Sequence, residues 1–253
     1  MTIDLMARAG ASDHSPCVGH CTYDAADYCL SCRRSTDEIT AWRDAEDSLR
    51  ASSWARIPAE IDAAGLDVMR LPISPEDIAE IAEEMLDLGG AWAVGVTGHW
   101  AYAHDLTRNQ DGVLTAASED GDTTITLDLS GKMRALAWAR GDRTLADGFQ
   151  DMPILIVVPR ARIKDAPNAE PTMREDGMLD LGYGLASIAI CEDGQTLDDK
   201  ELVMQNLLAT SRCRAPADER PAKDARAIPD DLTLPESYVL AAILMPKGEA
   251  PLS

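Results

Sequence analysis

Aromatic residues are scarce in this chain of 253 residues: they make up 4%, with a single phenylalanine, Phe149. Any core must therefore be built mainly from Ala, Leu, Ile, Val and Met. Cations are few as well, 23 Lys and Arg against 44 Asp and Glu, for a net charge of −21. A field of that sign repels phosphate backbones and anionic lipid, so neither nucleic acid nor a membrane surface is expected as a partner. No stretch approaches the roughly 20 apolar residues that span a bilayer. The opening MTIDLMARAGASDHS has no basic start followed by an apolar run, so no secretory signal is expected and the expected compartment is the cytoplasm. There is no P-loop, no G-x-G-x-x-G after a strand and no G-x-S-x-G, which weighs against a nucleotide enzyme or a serine hydrolase.

What the chain does have is a hydrophobic fraction of 45%, enough for a true core. Its length permits one large domain, or an ordinary domain with a small module attached. Four of its six cysteines fall in one short stretch, at Cys17, Cys21, Cys29 and Cys32, spaced C-x3-C-x7-C-x2-C. Close pairs let one turn present two sulfurs, and four thiolates can converge at about 2.3 Å on a zinc ion. In a reducing compartment such a cluster points to a metal more than to disulfides. Free or redox-active thiols, or two disulfides in an oxidising compartment, are the competing readings. Zinc and an iron–sulfur cluster both accept four thiolates, and the spacing leaves them open. His14 and His20 lie close enough to replace a cysteine ligand. Arg33 and Arg34 follow the last cysteine, where they can offset thiolate charge or meet an acidic partner.

Around the cysteines, Ser15-Pro16 gives a stiff entry, and Gly19 allows a tight turn between the first pair. Ser31 precedes the last cysteine. Ser35 and Glu38 read as a capping box, followed by Ile39 and Trp42 on one helix face. A second helix is expected from Asp44 as N-cap, with Leu49, Trp54 and Ile57 on its apolar side and Pro58 at its end or a kink. These residues resemble the bacterial family described as domain of unknown function 1289. The resemblance is carried by Ser15, Pro16, Cys17, Cys21, Asp24, Cys29, Cys32, Arg34, Glu38, Ile39 and Trp42, with Trp54–Pro58 similar to its closing helix. It covers about residues 13–60 and implies a metal site, described for the family as iron–sulfur, in a small accessory protein. Ser31 and Ser35 stand where the family carries Gly and Thr. Ser31 is expected to strain the second cysteine turn if φ is positive there.

The fold class expected is α+β: a small cysteine-rich metal knuckle with two short helices, then a larger acidic α+β domain. The expected division is a disordered N-terminus over 1–14, a four-cysteine module over 15–64, and the acidic domain over 70–253, with 58–73 as connector. Most of the negative charge, 34 acidic against 17 basic residues, lies beyond residue 60. Ser74-Pro75-Glu76-Asp77 starts a strong helix carrying Ile78, Ile81, Met85 and Leu88, which Gly89-Gly90 closes. Strands are expected over 91–97, 123–129, 133–140 (paired back on 123–129 as a hairpin), 154–158 and 179–191 (broken by Gly182 and Gly184), with 238–244 as a late edge strand. A second helix is expected over 197–211, and loops over 164–177 and 214–236.

Gly98–Asp105 brings His99, His104 and Asp105 into one segment, although their odd spacing sends the two histidines to opposite faces of a strand. Cys191 and Cys213 read as isolated buried thiols. The function expected is a four-thiolate metal-binding accessory protein, uncharacterised, that docks an acidic domain onto a protein partner. The alternatives are an iron–sulfur electron-transfer or redox-sensing accessory, and an enzyme with its site in residues 70–250.

Overall fold

A computed structural model of the chain describes residues 14–19, 21–96, 99–108, 113–118, 123–128, 133–149, 151–159, 172–173, 179–180, 186–191, 201–206, 209–214, 228–249 and 251–252. From 172 to 214 it describes the backbone alone. Residues 1–13 of the expected disordered stretch 1–14, and residues 197–200 of the expected second helix, lie outside the described residues. Among the described residues no helix is long and apolar enough to cross a membrane.

Capping chemistry begins the helices. In α1 (Thr36–Ala41), the Ser35 hydroxyl accepts from the Glu38 N–H and the Glu38 carboxylate accepts from the Ser35 N–H. The same reciprocal pair, Ser74 with Asp77, opens α3 (Pro75–Asp87), with Pro75 in its first turn. Between them α2 (Asp47–Ala63) starts two residues later than expected. Its N-cap is Glu46, not Asp44, and no side chain caps it. Pro58 does not end it. A mid-helix proline removes one N–H, yet Trp54, Ile57 and Ile61 stay buried on one face and hold the helix to the core. Leu49 is exposed instead of joining that face. Beyond α3, Gly89 turns at φ +87°, and Gly90 passes so close to Met245 that a Cβ there would meet its carbonyl oxygen at 2.5 Å.

The strands are β1 (Val68–Arg70), β2 (Ala91–Val96), β3 (His99–Ala103), β4 (Asp105–Arg108), β5 (Val113–Ala117), β6 (Thr124–Asp128), β7 (Arg134–Trp138), β8 (Ile154–Pro159), β9 (Thr172–Met173), β10 (Leu179–Asp180), β11 (Ala186–Cys191), β12 (Glu201–Asn206), β13 (Ala209–Arg214) and β14 (Tyr238–Met245). They form two antiparallel sheets of six, ordered β1-β7-β8-β14-β2-β3 and β11-β12-β13-β6-β5-β4, and a short β9–β10 pair. The class is therefore α+β, with few helices.

Several expectations are corrected. Within the expected 197–211 helix, residues 201–206 and 209–211 are strand: β12 and β13 pair across Leu202↔Cys213 and Met204↔Ser211. A weak helical spacing yields here to sheet hydrogen bonding, because tertiary context outweighs single-residue propensity. The 133–140 run does not fold back on 123–129. Its strand β7 pairs with β1 and β8, while β6 pairs with β5 and β13. Ala135 and Ala137 are buried on one face of β7, Leu136 and Trp138 on the other, so it needs cover on both sides. For the same reason β14 is no edge strand. It sits between β8 and β2, with a bulge between Leu240 and Ala242. Residues 58–73 are more than a connector, since they hold the end of α2 and all of β1. The 179–191 run is divided into β10 and β11, and part of the expected 164–177 loop is β9.

The first sheet is buried on both faces. One face carries Met69, Ala135, Ile154, Ile156, Ala242, Leu244 and Trp92, packed with Trp42, Trp54, Ile57 and Ile61, with α3, and with Leu114, Ile125 and Leu127 of the second sheet. The other face carries Val68, Leu136, Trp138, Leu155, Val157 and Leu240, covered by Val18, Leu232 and Leu252. The N-terminal segment thus contributes to both faces: the helices to one and the first cysteine loop to the other.

Candidate metal centre

The segment entering the site is anchored by the sheet before any ligand is considered. Pro16 is buried, and the Cys17 N–H donates to the Ser15 hydroxyl at 3.2 Å. The Cys17 carbonyl accepts from Arg70 Nη1 at 2.9 Å and from the Tyr238 hydroxyl at 3.4 Å. The Ser237 hydroxyl donates to the Val18 carbonyl, and the Val18 side chain is buried. Gly19 then turns at φ +88°, with Ser237 against the position a Cβ would take.

The second half of the site is built from local bonds. Asp24 accepts from the Ala26 and Tyr28 N–H groups at 2.9 and 3.0 Å and pairs with Arg33 at 3.2 Å. The Tyr28 and Ala26 amides and the Arg33 guanidinium hold its carboxyl below the usual range. The Leu30 N–H donates to Thr22 O at 2.7 Å, Cys29 N–H to Arg34 O at 2.8 Å, and Arg33 N–H to Cys29 O at 2.9 Å. The tight backbone falls on Asp27 (φ 61°) and Arg33 (φ 53°), not on Ser31 as expected. The turn places its left-handed residue one position after Cys32, so the serine substitution costs nothing there.

These loops gather the four thiols. Cys29 and Cys32 are buried, Cys17 is half-buried and Cys21 is exposed. The Cys17 sulfur accepts from the Gly19 N–H at 3.2 Å. Backbone N–H groups of Ser31 and Cys32 point at the Cys29 sulfur, and the Arg34 N–H and guanidinium at the Cys32 sulfur. Cys17, Cys29 and Cys32 therefore each receive an amide from the residue two places on. Partial burial and the neighbouring Cys17, Cys29 and Cys32 sulfurs push the Cys21 thiol up to about 11. Cys29 goes the other way: burial opposes its ionisation, but the amides and the Cys32 and Cys21 thiols hold it below the usual thiol range. Burial pushes Cys32 up despite Arg34. Residues 15–61 match the family model of a protein of unknown function (DUF1289). No curated protein and no solved structure matches the chain.

Within the DUF1289 segment the cysteine cluster is consistent with binding a metal. The sulfurs are neighbours and not yet a closed shell. Among the described residues, no three His, Cys, Asp or Glu side chains stand together so as to hold an ion. Behind the thiols, Glu38 binds three groups at once: the Ser35 N–H, the Ser53 hydroxyl at 2.8 Å and both oxygens to Arg56 at 2.7 and 2.8 Å. Burial alone would raise its carboxyl; these partners hold it below the usual range. Arg56 also reaches Glu60 and the Arg33 carbonyl, and Trp42 meets Trp54 edge to face at 6.3 Å.

His20 lies outside the described residues, as does the His99 side chain. His104 is exposed where the chain passes from β3 to β4, with Nδ1 3.1 Å from Gly90 O. With Asp105, Glu83 and Asp87 it lines an open cleft of about 560 Å³. Cys191 and Cys213 lie on β11 and β13, on opposite sides of β12. That separates their backbones by about 10 Å, beyond disulfide reach. Arg70, Ser237 and Tyr238, which hold the Cys17 and Val18 carbonyls, were missed by sequence reasoning. They lie far from the cysteines along the chain, and nothing local marks them.

Proposed function

We propose that this protein is a four-thiolate metal-binding accessory protein. Cys17, Cys21, Cys29 and Cys32 are its ligands, and its DUF1289 segment docks the acidic two-sheet body onto a protein partner. The observation that carries the reading is the amide-to-sulfur arrangement at Cys17, Cys29 and Cys32, with Cys21 feeling the other three sulfurs. Crowded thiols resist ionising together, and a bound cation removes that resistance. The ion would supply a cross-link between the entry loop, held by the sheet, and the Cys29–Cys32 turn, held by α1 and α2. Tyr23 and Leu30, both exposed beside Cys21, give the docking an apolar contact.

A second reading is supported by the exposure of Cys21 itself: an iron–sulfur centre with one ligand at the surface, exchanging electrons with an oxidoreductase. Metal and sulfide analysis of the anaerobically purified full chain, with its visible spectrum, separates the two. One zinc per chain without colour overturns the redox reading. Iron and sulfide in near-equal amounts overturn structural zinc. Absence of any bound metal, together with failure to bind added zinc or iron, overturns both.

A further inference from the structure

The segment that follows β14 is seated on the first sheet by contacts that involve none of the cysteines. Arg140 is their centre. Its Nε donates to Asp231 at 2.7 Å, and its guanidinium lies 5.3 Å over the Trp138 ring. Its Nη1 meets Glu249 at 3.3 Å, and its Nη2 donates to the Pro251 carbonyl at 2.9 Å. Arg143 also donates to Glu249, whose side chain is only 7% exposed. The next amide, Leu252 N–H, donates to the Tyr102 hydroxyl at 2.8 Å, and the Leu252 side chain is buried in the second-face cluster. The sheet is low here. Ala93 stands in register between Tyr102 and Ile243, and both Ala91 and Ala93 belong to that cluster.

These contacts have the form of peptide recognition. Side chains of the body bind a carbonyl and the N–H that follows it, groups that any extended peptide offers. Two guanidinium groups hold one desolvated carboxylate. Among the described residues of 246–252, none is in a helix or strand, and only Leu252 buries its side chain, while Lys247, Gly248 and Pro251 are exposed. Asp231 and Trp138 fix Arg140 from the body's side, so the site keeps its shape when the segment leaves. We propose that this trough is a protein-docking site, occupied in cis by Glu249, Pro251 and Leu252. Its partner is an extended segment of the same chemistry: an acidic residue, one further residue, a proline and an aliphatic residue. The chain's own segment is then an internal competitor that the partner displaces. A second copy is disfavoured as the donor, because two chains of net charge −21 repel each other. The surface is distinct from the Tyr23 and Leu30 contact and needs no metal.

The test uses the full chain and a fluorescein-labelled peptide with the sequence of residues 247–253, followed by anisotropy. Glu249→Gln combined with Leu252→Asp unseats the chain's own segment. It is expected to raise peptide affinity by about 10-fold over wild type, because the competitor in cis is removed. A peptide with glutamine in place of its glutamate is expected to bind that variant about 10-fold more weakly. A second measurement needs no variant: in isotopically labelled wild type, saturating unlabelled peptide is expected to speed hydrogen exchange at the Leu252 amide. Equal peptide affinity in wild type and in the folded double variant overturns the proposal. Equal binding of the glutamate and glutamine peptides overturns it too, as does a Leu252 amide whose exchange ignores the peptide. Peptide that binds neither chain overturns it by making 246–252 a fixed part of the fold. Wild type that dimerises with concentration while its Leu252 amide is released overturns the partner in favour of exchange between copies.

Discussion

The cysteine segment and the first sheet are held together by different physics. In the sheet, β7, β8 and β14 are buried on both faces, and their backbone groups are satisfied by antiparallel neighbours. The segment from Ser15 to Trp42 has no such resource. Helix α1 buries none of its own residues, and the loops rest on amide bonds to sulfur, on Asp24 and on Glu38. Its apolar support is Val18, Trp42 and the α2 face, all of it borrowed from the body's two clusters. A region with so little surface of its own to bury depends on cross-links for order, whereas the sheet does not.

This comparison can be broken most directly at the four cysteines. Cys29→Ser is expected to abolish metal binding and the metal-dependent part of stability, on the order of 10 kcal/mol by analogy with small structural sites. Melting with and without chelator checks it. A variant whose melting still responds to chelator as wild type does would show that the segment does not rely on its thiols. Leu155→Ala, in the middle of the sheet, is expected to cost about 2–5 kcal/mol, by the same amount with and without chelator. A chelator-dependent cost there would mean that the two regions melt as one.

Glu38→Gln sharpens the polar side of the contrast. It removes charge from three partners and is expected to cost about 2 kcal/mol near neutral pH. Because the folded state lowers the Glu38 pKa, its contribution is fully present above the unfolded value of about 4.3 and is lost as pH falls through the lower folded value. The stability gap between wild type and variant, followed by melting from neutral to acid pH, is therefore expected to close at low pH. A gap that persists there would assign the effect to shape and not to charge. Smallest of all, Ser74→Ala removes the cap of α3 and is expected to cost about 1 kcal/mol with no change in metal affinity, measured by melting and by chelator competition.

Legibility followed the same division. The features readable in advance were those made by neighbours in sequence: the cysteine spacing, the Ser35–Glu38 and Ser74–Asp77 starts, the Gly89-Gly90 stop and the strands around 91–96, 124–128 and 154–158. The misread features depended on partners far away. Whether 201–214 becomes a helix or a hairpin is decided by β6 and β11 on either side of it. Whether 238–245 is an edge or a centre is decided by β8 and β2.

By itself the sequence determined the four-cysteine spacing and the local turns around it, because amide-to-sulfur bonds and capping boxes act within a few residues. Only the tertiary structure decided what stands behind the cysteines. Arg70 lies 53 residues from Cys17 and Tyr238 lies 221 from it, yet both bond to its carbonyl. Contacts of that separation arise from the pairing order of strands, which local patterning leaves open.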